Sequence, residues 1–275
     1  MIKDVMVWAD GSLADDVRLE VAGTIAQRFQ SQVVALVLNS ISLPTPIGEG
    51  LDGGVAETAL LEKARAVGDL TEERLVRRLK LLDRPVEIRR FDVLADDIAN
   101  IAVREARAAD TFVALRPNGA MDPERVVEAI LFGSGRHLFL FPEAERPKIA
   151  FDRIVLAWNG SRESARAMAE GMPFLLGANE VTVTAIADNR VGEDDALVGV
   201  DAVRHLQHHG IEAGLHHVKD RKNDPGATLI AEARRRKADL IIMGGYGHLR
   251  LRERLLGGVT YELMHGSPVP ILMAH

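Results

Sequence analysis

The chain has 275 residues, 47% of them hydrophobic and 27% charged, with a net charge of −6. That is the composition of a globular protein, without the basic balance of one whose main partner is a nucleic-acid backbone. It has no cysteine, which excludes disulfides, thiolate metal sites and a cysteine nucleophile. No apolar run is long enough to span a bilayer, and Met1-Ile2-Lys3-Asp4 leads into a strand-like segment without a signal-peptide pattern. A cytoplasmic chain with no membrane and no nucleic-acid partner is expected.

In chain order, Asp4–Ala9 reads as a strand, a short apolar run of the kind buried on both faces of a parallel sheet. A helix over Asp15–Phe29 and a strand over Val33–Leu38 follow. Ser40–Gly54, rich in Gly and Pro, reads as a loop insertion. Beyond it come a long helix around Ala56–Leu82, a strand over Val86–Phe91 and a helix over Asp97–Ala108. Strand Thr111–Leu115, helix Arg125–Phe132 and strand Leu138–Phe141 close the first half. Pro142 to Pro147 then interrupts the apolar pattern and marks a boundary.

The second half opens on Arg153–Ala157 and repeats the order: helix Arg162–Leu176, strand Val181–Ala187, helix Ala196–His208 and strand Glu212–Lys219. Helix Gly226–Lys237, strand Leu240–Met243, helix Val259–His265 and strand Val269–Met273 complete it. The two openings also match each other, one strand ending in Asp10-Gly11-Ser12 and the other in Asn159-Gly160-Ser161. Alternating strands and helices imply right-handed crossovers and parallel sheets. The expectation is an α/β protein of two tandem, doubly wound, five-stranded, Rossmann-like domains, 1–145 and 150–275, with ligands beyond the carboxyl ends of the strands.

The segment with chemical content follows strand Leu240–Met243. Gly244-Gly245-Tyr246-Gly247 is separated by His248–Leu256 from Gly257-Gly258-Val259-Thr260, which opens a helix. Gly244 and Gly247 allow positive φ and put no Cβ in the way of a close ligand. Gly257 and Gly258 leave backbone N–H groups free at a helix N-terminus, where the macrodipole favours an anion. Thr260 adds a hydroxyl. This is a phosphate cradle in outline.

The spacing Gly244-x2-Gly247-x9-Gly257 resembles the ATP loop of the universal stress protein family, and Asn159-Gly160-Ser161 is similar to that family's Asp-Gly-Ser. The order and number of elements fit the same family across both halves. The resemblance implies an adenine nucleotide, ATP or AMP, with or without Mg2+. The adenine would lie near Asn159 and the backbone around Ile186, at the strand ends marked by Ala157 and Met243. The phosphates would lie on Gly244, Gly247, Gly257, Gly258, Val259 and Thr260, with His248 beside them. It also implies a homodimer, formed where the last strand, Val269–His275, offers its edge across a two-fold.

Two departures weaken this expectation. Asn159 stands where the family has Asp and so brings no charge. Gly258 stands where the family has Ser or Thr, a loss of about 1 kcal/mol of hydrogen bonding to a phosphate. The first half is a poorer candidate. Its Gly133-Ser134 looks like the motif, yet aligning the elements pairs it with Gly266-Ser267 and puts Glu124 in the place of Gly257. The intervening loop is four residues shorter, 14 steps from Asp110 to Glu124 against 18 from Asp239 to Gly257. Acidic side chains stand where phosphate would go, so the domain 1–145 is read as a degenerate copy, with Asp10 holding a turn.

Other candidates have plainer readings. His205 and His209 are spaced for a metal on a helix, and His208, His216 and His217 lie near in sequence, but no further ligand completes a set and a solvated face is expected. Arg250, Arg252 and Arg254 either reach a phosphate or balance Glu253 in solvent. Asp224-Pro225-Gly226 reads as a helix start. No dinucleotide fingerprint, Walker loop or nucleophile–base set is present, so no catalytic residue is assigned. Three functions remain: a nucleotide-binding stress or signalling protein, a ligand-free structural or interaction dimer of the same family, and a slow ATP hydrolase with His248 as the nearest base.

Overall fold

A computed structural model describes residues 1–41, 53–82, 84–116, 121–142, 150–187, 197–220, 223–245 and 258–275. Ten strands and eight α-helices are traced among them. The chain divides into two compact units, Ile2–Val113 and Ala114–His275, the latter joined by Met1.

In the first unit the order is β1 (Asp4–Ala9), α1 (Asp15–Phe29), β2 (Gln32–Ile41), α2 (Gly53–Leu79), β3 (Val86–Leu94) and α3 (Ile98–Ala106), before β4 (Thr111–Leu115). The strands run β3-β2-β1-β4 across the sheet, and every pairing is parallel. β1 and β2 are buried almost throughout, which is why both read as unbroken apolar runs. Among the described residues β3 has one neighbouring strand, and it carries Glu87, Arg89, Arg90 and Asp92, charges that discourage a further strand from pairing there.

The second unit holds α4 (Met121–Gly133), β5 (Leu138–Phe141), β6 (Arg153–Ala157), α5 (Arg162–Leu175), β7 (Glu180–Ala187) and α6 (Val200–His208). It continues with β8 (Ala213–Lys219), α7 (Pro225–Arg235), β9 (Leu240–Gly244), α8 (Val259–Gly266) and β10 (Ile271–Ala274). Its strands lie in the order β5-β10-β9-β6-β7-β8. Pairings from β10 to β8 are parallel, but β5 meets β10 antiparallel, with Ile271 opposite Leu140 and Met273 opposite Leu138.

That antiparallel seam corrects one expectation. The final strand was expected to offer its edge to a second copy of the chain, yet β9 and β5 already pair with its two sides. The physical cause is tethering. Two fused repeats hold each other's last strands at high effective concentration, so the seam forms within one chain without the entropic cost of association. Residues 143–149, where the sequence placed the boundary, lie outside the described residues.

The core beside this seam is aromatic. Phe151 and Phe174 meet at 5.0 Å between centroids, and Phe139 lies 6.0 Å and 6.1 Å from them. His137, 1% exposed at the start of β5, directs Nδ1 at Glu170 Oε2 of α5 at 3.0 Å. Burial raises the Glu170 carboxyl, but the hydrogen bond from His137 and the nearby charges hold it below its ordinary range. Arg166 bridges the same carboxylate (2.6 Å) and the Gly135 carbonyl (2.5 Å).

Candidate functional site

The site expected from sequence lies at the carboxyl ends of β6, β7 and β9 and at the start of α8. β6 ends at Ala157, opposite Thr184 of β7, and the Trp158 N–H donates to the Thr184 carbonyl at 2.9 Å. The Thr184 hydroxyl is buried and has no partner among the described residues. The chain then turns. Asn159 Oδ1 accepts from the Ser161 N–H at 3.1 Å, Gly160 takes φ +74°, and Ser161 Oγ accepts from Ser164 N–H at 3.2 Å to cap α5. Asn159 is exposed, but its carbonyl oxygen is engaged in this turn. Ile186 is half-buried on β7 and Met243 is buried on β9.

Gly244 ends β9, and the reason it is glycine differs from the expected one. It is absent from the residues with positive φ. A Cβ there would lie 2.6 Å from the Glu163 carbonyl carbon, 2.7 Å from Ser164 N and 2.8 Å from Glu163 Cβ. The first turn of α5 therefore packs directly on the strand end, and only a residue without a side chain admits it. Gly245 is similarly confined, since a Cβ would come within 3.0 Å of Met273 and 3.1 Å of Leu131. Its N–H donates to Ala274 at 2.8 Å, extending the ladder with β10.

Gly247, His248 and Gly257, with Arg250, Arg252 and Arg254, lie outside the described residues. Gly258 is the N-cap of α8, extended at φ −64° and ψ 159°, with no side-chain cap on the helix. Val259 opens the helix, and Thr260 is buried. The structure thus gathers Ala157, Asn159, Ser164 and Gly244 around the first turn of α5 and sets Gly258, Val259 and Thr260 at the first turn of α8.

Two acidic groups at these helix starts escaped the sequence reading. Glu163, 5% exposed, pairs with Arg162 at 2.5 Å. Burial pushes its carboxyl up, but Arg162 and its own backbone N–H outweigh that and hold it below its ordinary range. Glu262, in the first turn of α8, reaches over Gly226 of α7, where any Cβ would collide with its carboxyl oxygen. Burial, then a hydrogen bond with Asp224 and the charges of Asp224 and Asp220, raise Glu262. Asp224 is the N-cap of α7, accepting from Ala227 N–H at 2.9 Å, as its sequence context implied. The only sequence signal for Glu163 was an acid in a helix's first turn; Glu262 gave none, because Asp224 is 38 residues away in the chain.

The histidines disperse. His216 Nε2 faces Glu232 at 3.3 Å, His217 Nε2 meets the Val198 carbonyl at 2.9 Å, and the His205 and His209 rings lie 4.8 Å apart. No group of three His, Asp or Glu among the described residues is placed to hold a metal. Glu124, expected to repel phosphate, stands 3.7 Å from His265 of α8. No helix among the described residues is long and apolar enough to cross a membrane.

Crossovers onto a mostly parallel sheet, with a strand-to-helix turn and an uncapped helix start at the strand ends, define a doubly wound, Rossmann-like α/β protein. Residues 150–275 match the model of the universal stress protein family. A universal stress protein from Archaeoglobus fulgidus DSM 4304 superposes over 98% of this chain and 97% of its own, at 15% identity and a TM-score of 0.73. A protein from Pseudomonas aeruginosa UCBPP-PA14 assigned to the same family covers 99% and 93% at 15% identity and a TM-score of 0.59. A protein of unknown function from Pseudomonas aeruginosa PAO1 covers 99% and 92% at 14% identity and a TM-score of 0.59. None of the curated protein sequences matches the chain. At these identities the superpositions establish the fold alone, over both repeats.

Proposed function

We propose that the repeat 150–275 binds an adenine nucleotide, ATP or AMP, and that the chain acts in the cytoplasm as a nucleotide-responsive stress or signalling module. The repeat 1–145 serves as a ligand-free partner to it. The observation that carries this reading is the start of α8: a glycine N-cap, extended and without a side-chain cap, in a segment that matches the model of the universal stress protein family. Its first backbone N–H groups point out of the helix end with the positive pole of the dipole behind them. Gly244, Gly247, Gly257, Gly258, Val259 and Thr260 would hold the phosphates, with His248 alongside. Ala157, Asn159, Ile186 and Met243 would flank the adenine.

Mass spectrometry of small molecules released from the purified protein should find an adenine nucleotide, and calorimetry with ATP or AMP, with and without magnesium, should show saturable heat. No nucleotide and no heat would overturn the proposal. A ligand-free interaction module is the second reading. It is favoured by Gly244, which the packing of α5 requires whether or not a phosphate is bound, and by the Asn159 oxygen already engaged by Ser161.

A further inference from the structure

The matching turn of the first repeat is already occupied. The Asp15 carboxylate, with 0% exposure, turns back from the start of α1 onto the end of β1. It accepts from Gly11 N–H at 2.7 Å on one oxygen and from Asp10 N–H at 3.2 Å on the other. Arg18 of α1 donates at 2.7 Å to the oxygen that accepts from Asp10 N–H, and Arg78 of α2 stands 3.7 Å from the one that accepts from Gly11 N–H. These donors come from a strand end, α1 and α2, and they converge on one carboxylate. Arg18 also pairs with Asp10 at 2.8 Å, while Arg78 pairs with Asp16 at 2.9 Å and donates to the Ser12 carbonyl at 2.8 Å.

The second repeat has the same turn without the carboxylate. Gly160 and Gly11 share the positive φ, +74° and +80°, and Asn159 and Asp10 each accept from the serine two residues on. Counting from the shared glycine, the position of Asp15 is taken by Ser164, whose hydroxyl donates to the Ser161 carbonyl at 2.8 Å. Arg18 corresponds to Ala167. One chain therefore carries the same turn twice, once with a carboxylate on its Asx and Gly N–H groups and once with a serine in that carboxylate's place.

We infer that Asp10 N–H, Gly11 N–H, Arg18 and Arg78 form an oxyanion-binding site in the first repeat, and that the chain fills it with its own Asp15 carboxylate. The side chain acts as a built-in stand-in for a phosphate or carboxylate ligand. It keeps the first repeat closed to external anions, independently of whether the second repeat binds a nucleotide. A tethered carboxylate excludes a dissolved competitor because its effective concentration far exceeds any the solution supplies.

The test makes the first turn read like the second. In the variant D10N/D15S, inorganic phosphate should bind saturably and shift the backbone amide resonances of residues 10 and 11, whereas the wild type should show neither effect. Adding R18M and R78M should abolish the binding. A folded D10N/D15S protein that takes no phosphate overturns the inference, as does a wild type whose residue 10 and 11 amides already respond to phosphate. Should the double variant not fold, D15N replaces it: its thermal midpoint should rise with phosphate, at fixed ionic strength, where that of the wild type does not. An equal response of the two proteins overturns the inference.

Discussion

Gly244 illustrates how one residue can serve a motif and a packing constraint together. Its missing side chain lets the backbone of Glu163 and Ser164 rest on the end of β9. Gly244→Ala should cost about 1–3 kcal/mol of stability, because the obstructing atoms are backbone and cannot rotate away. Denaturant titration checks this, and an unchanged midpoint would refute the packing argument. Glu232 makes a second residue-scale prediction. Hydrogen bonds from Arg235, at 2.7 Å and 2.9 Å, are the main reason its carboxyl falls to about 2; Arg236 and the nearby His216 add to this against the effect of burial. A carboxyl depressed in the fold stabilises above its unfolded value and loses that contribution as pH falls through the folded one. Glu232→Gln should therefore lower stability by about 2–3 kcal/mol at neutral pH. The difference from wild type should shrink as pH falls from the ordinary carboxylate range towards about 2.

At the scale of elements, α7 and α8 meet through two carboxyls, Asp224 and Glu262. Glu262 is raised, so the sign is the reverse of that at Glu232: the protonated form suits the fold, and ionisation as pH rises through the folded value is unfavourable. Glu262→Gln should leave the protein more stable than wild type at neutral pH and equal to it in acid, measured as thermal midpoints across pH. A Glu262→Gln protein that is less stable at neutral pH would contradict the raised Glu262 carboxyl. The same substitution removes an acidic group from the first turn of α8. If phosphate binds there, nucleotide affinity should rise, and calorimetry on the variant reads it.

At the largest scale, the β5–β10 seam of the second unit gives one chain the strand pairing expected between two. Cutting the repeats apart should expose it. A fragment spanning 150–275 lacks β5 and leaves one side of β10 open, so it should associate with itself through that edge, whereas the intact chain should not. Sedimentation velocity on both proteins distinguishes these outcomes, and a monomeric fragment would show that the edge is protected by other means.

Much of this was legible in the chain. Unbroken apolar runs such as Thr111–Leu115 and Leu138–Phe141 located buried strands to the residue, because a strand covered on both faces needs apolar side chains at every position. The helix over Asp15–Phe29 was equally plain. The paired Asx-Gly-Ser turns revealed the repeat, since a tight turn restricts which residues it admits. Other features depend on residues far apart in sequence. The Asp15 carboxylate was read as the start of a helix, and only the return of Arg78 from α2 makes it a bound anion. Glu262 meets the Asp224 carboxyl that helps raise it only when α8 packs on α7. The partner of the last strand was decided last of all. An open strand edge has the same hydrogen-bonding groups whether a second chain or a tethered one completes it, and the tether decides because it removes the entropic cost of bringing the two together.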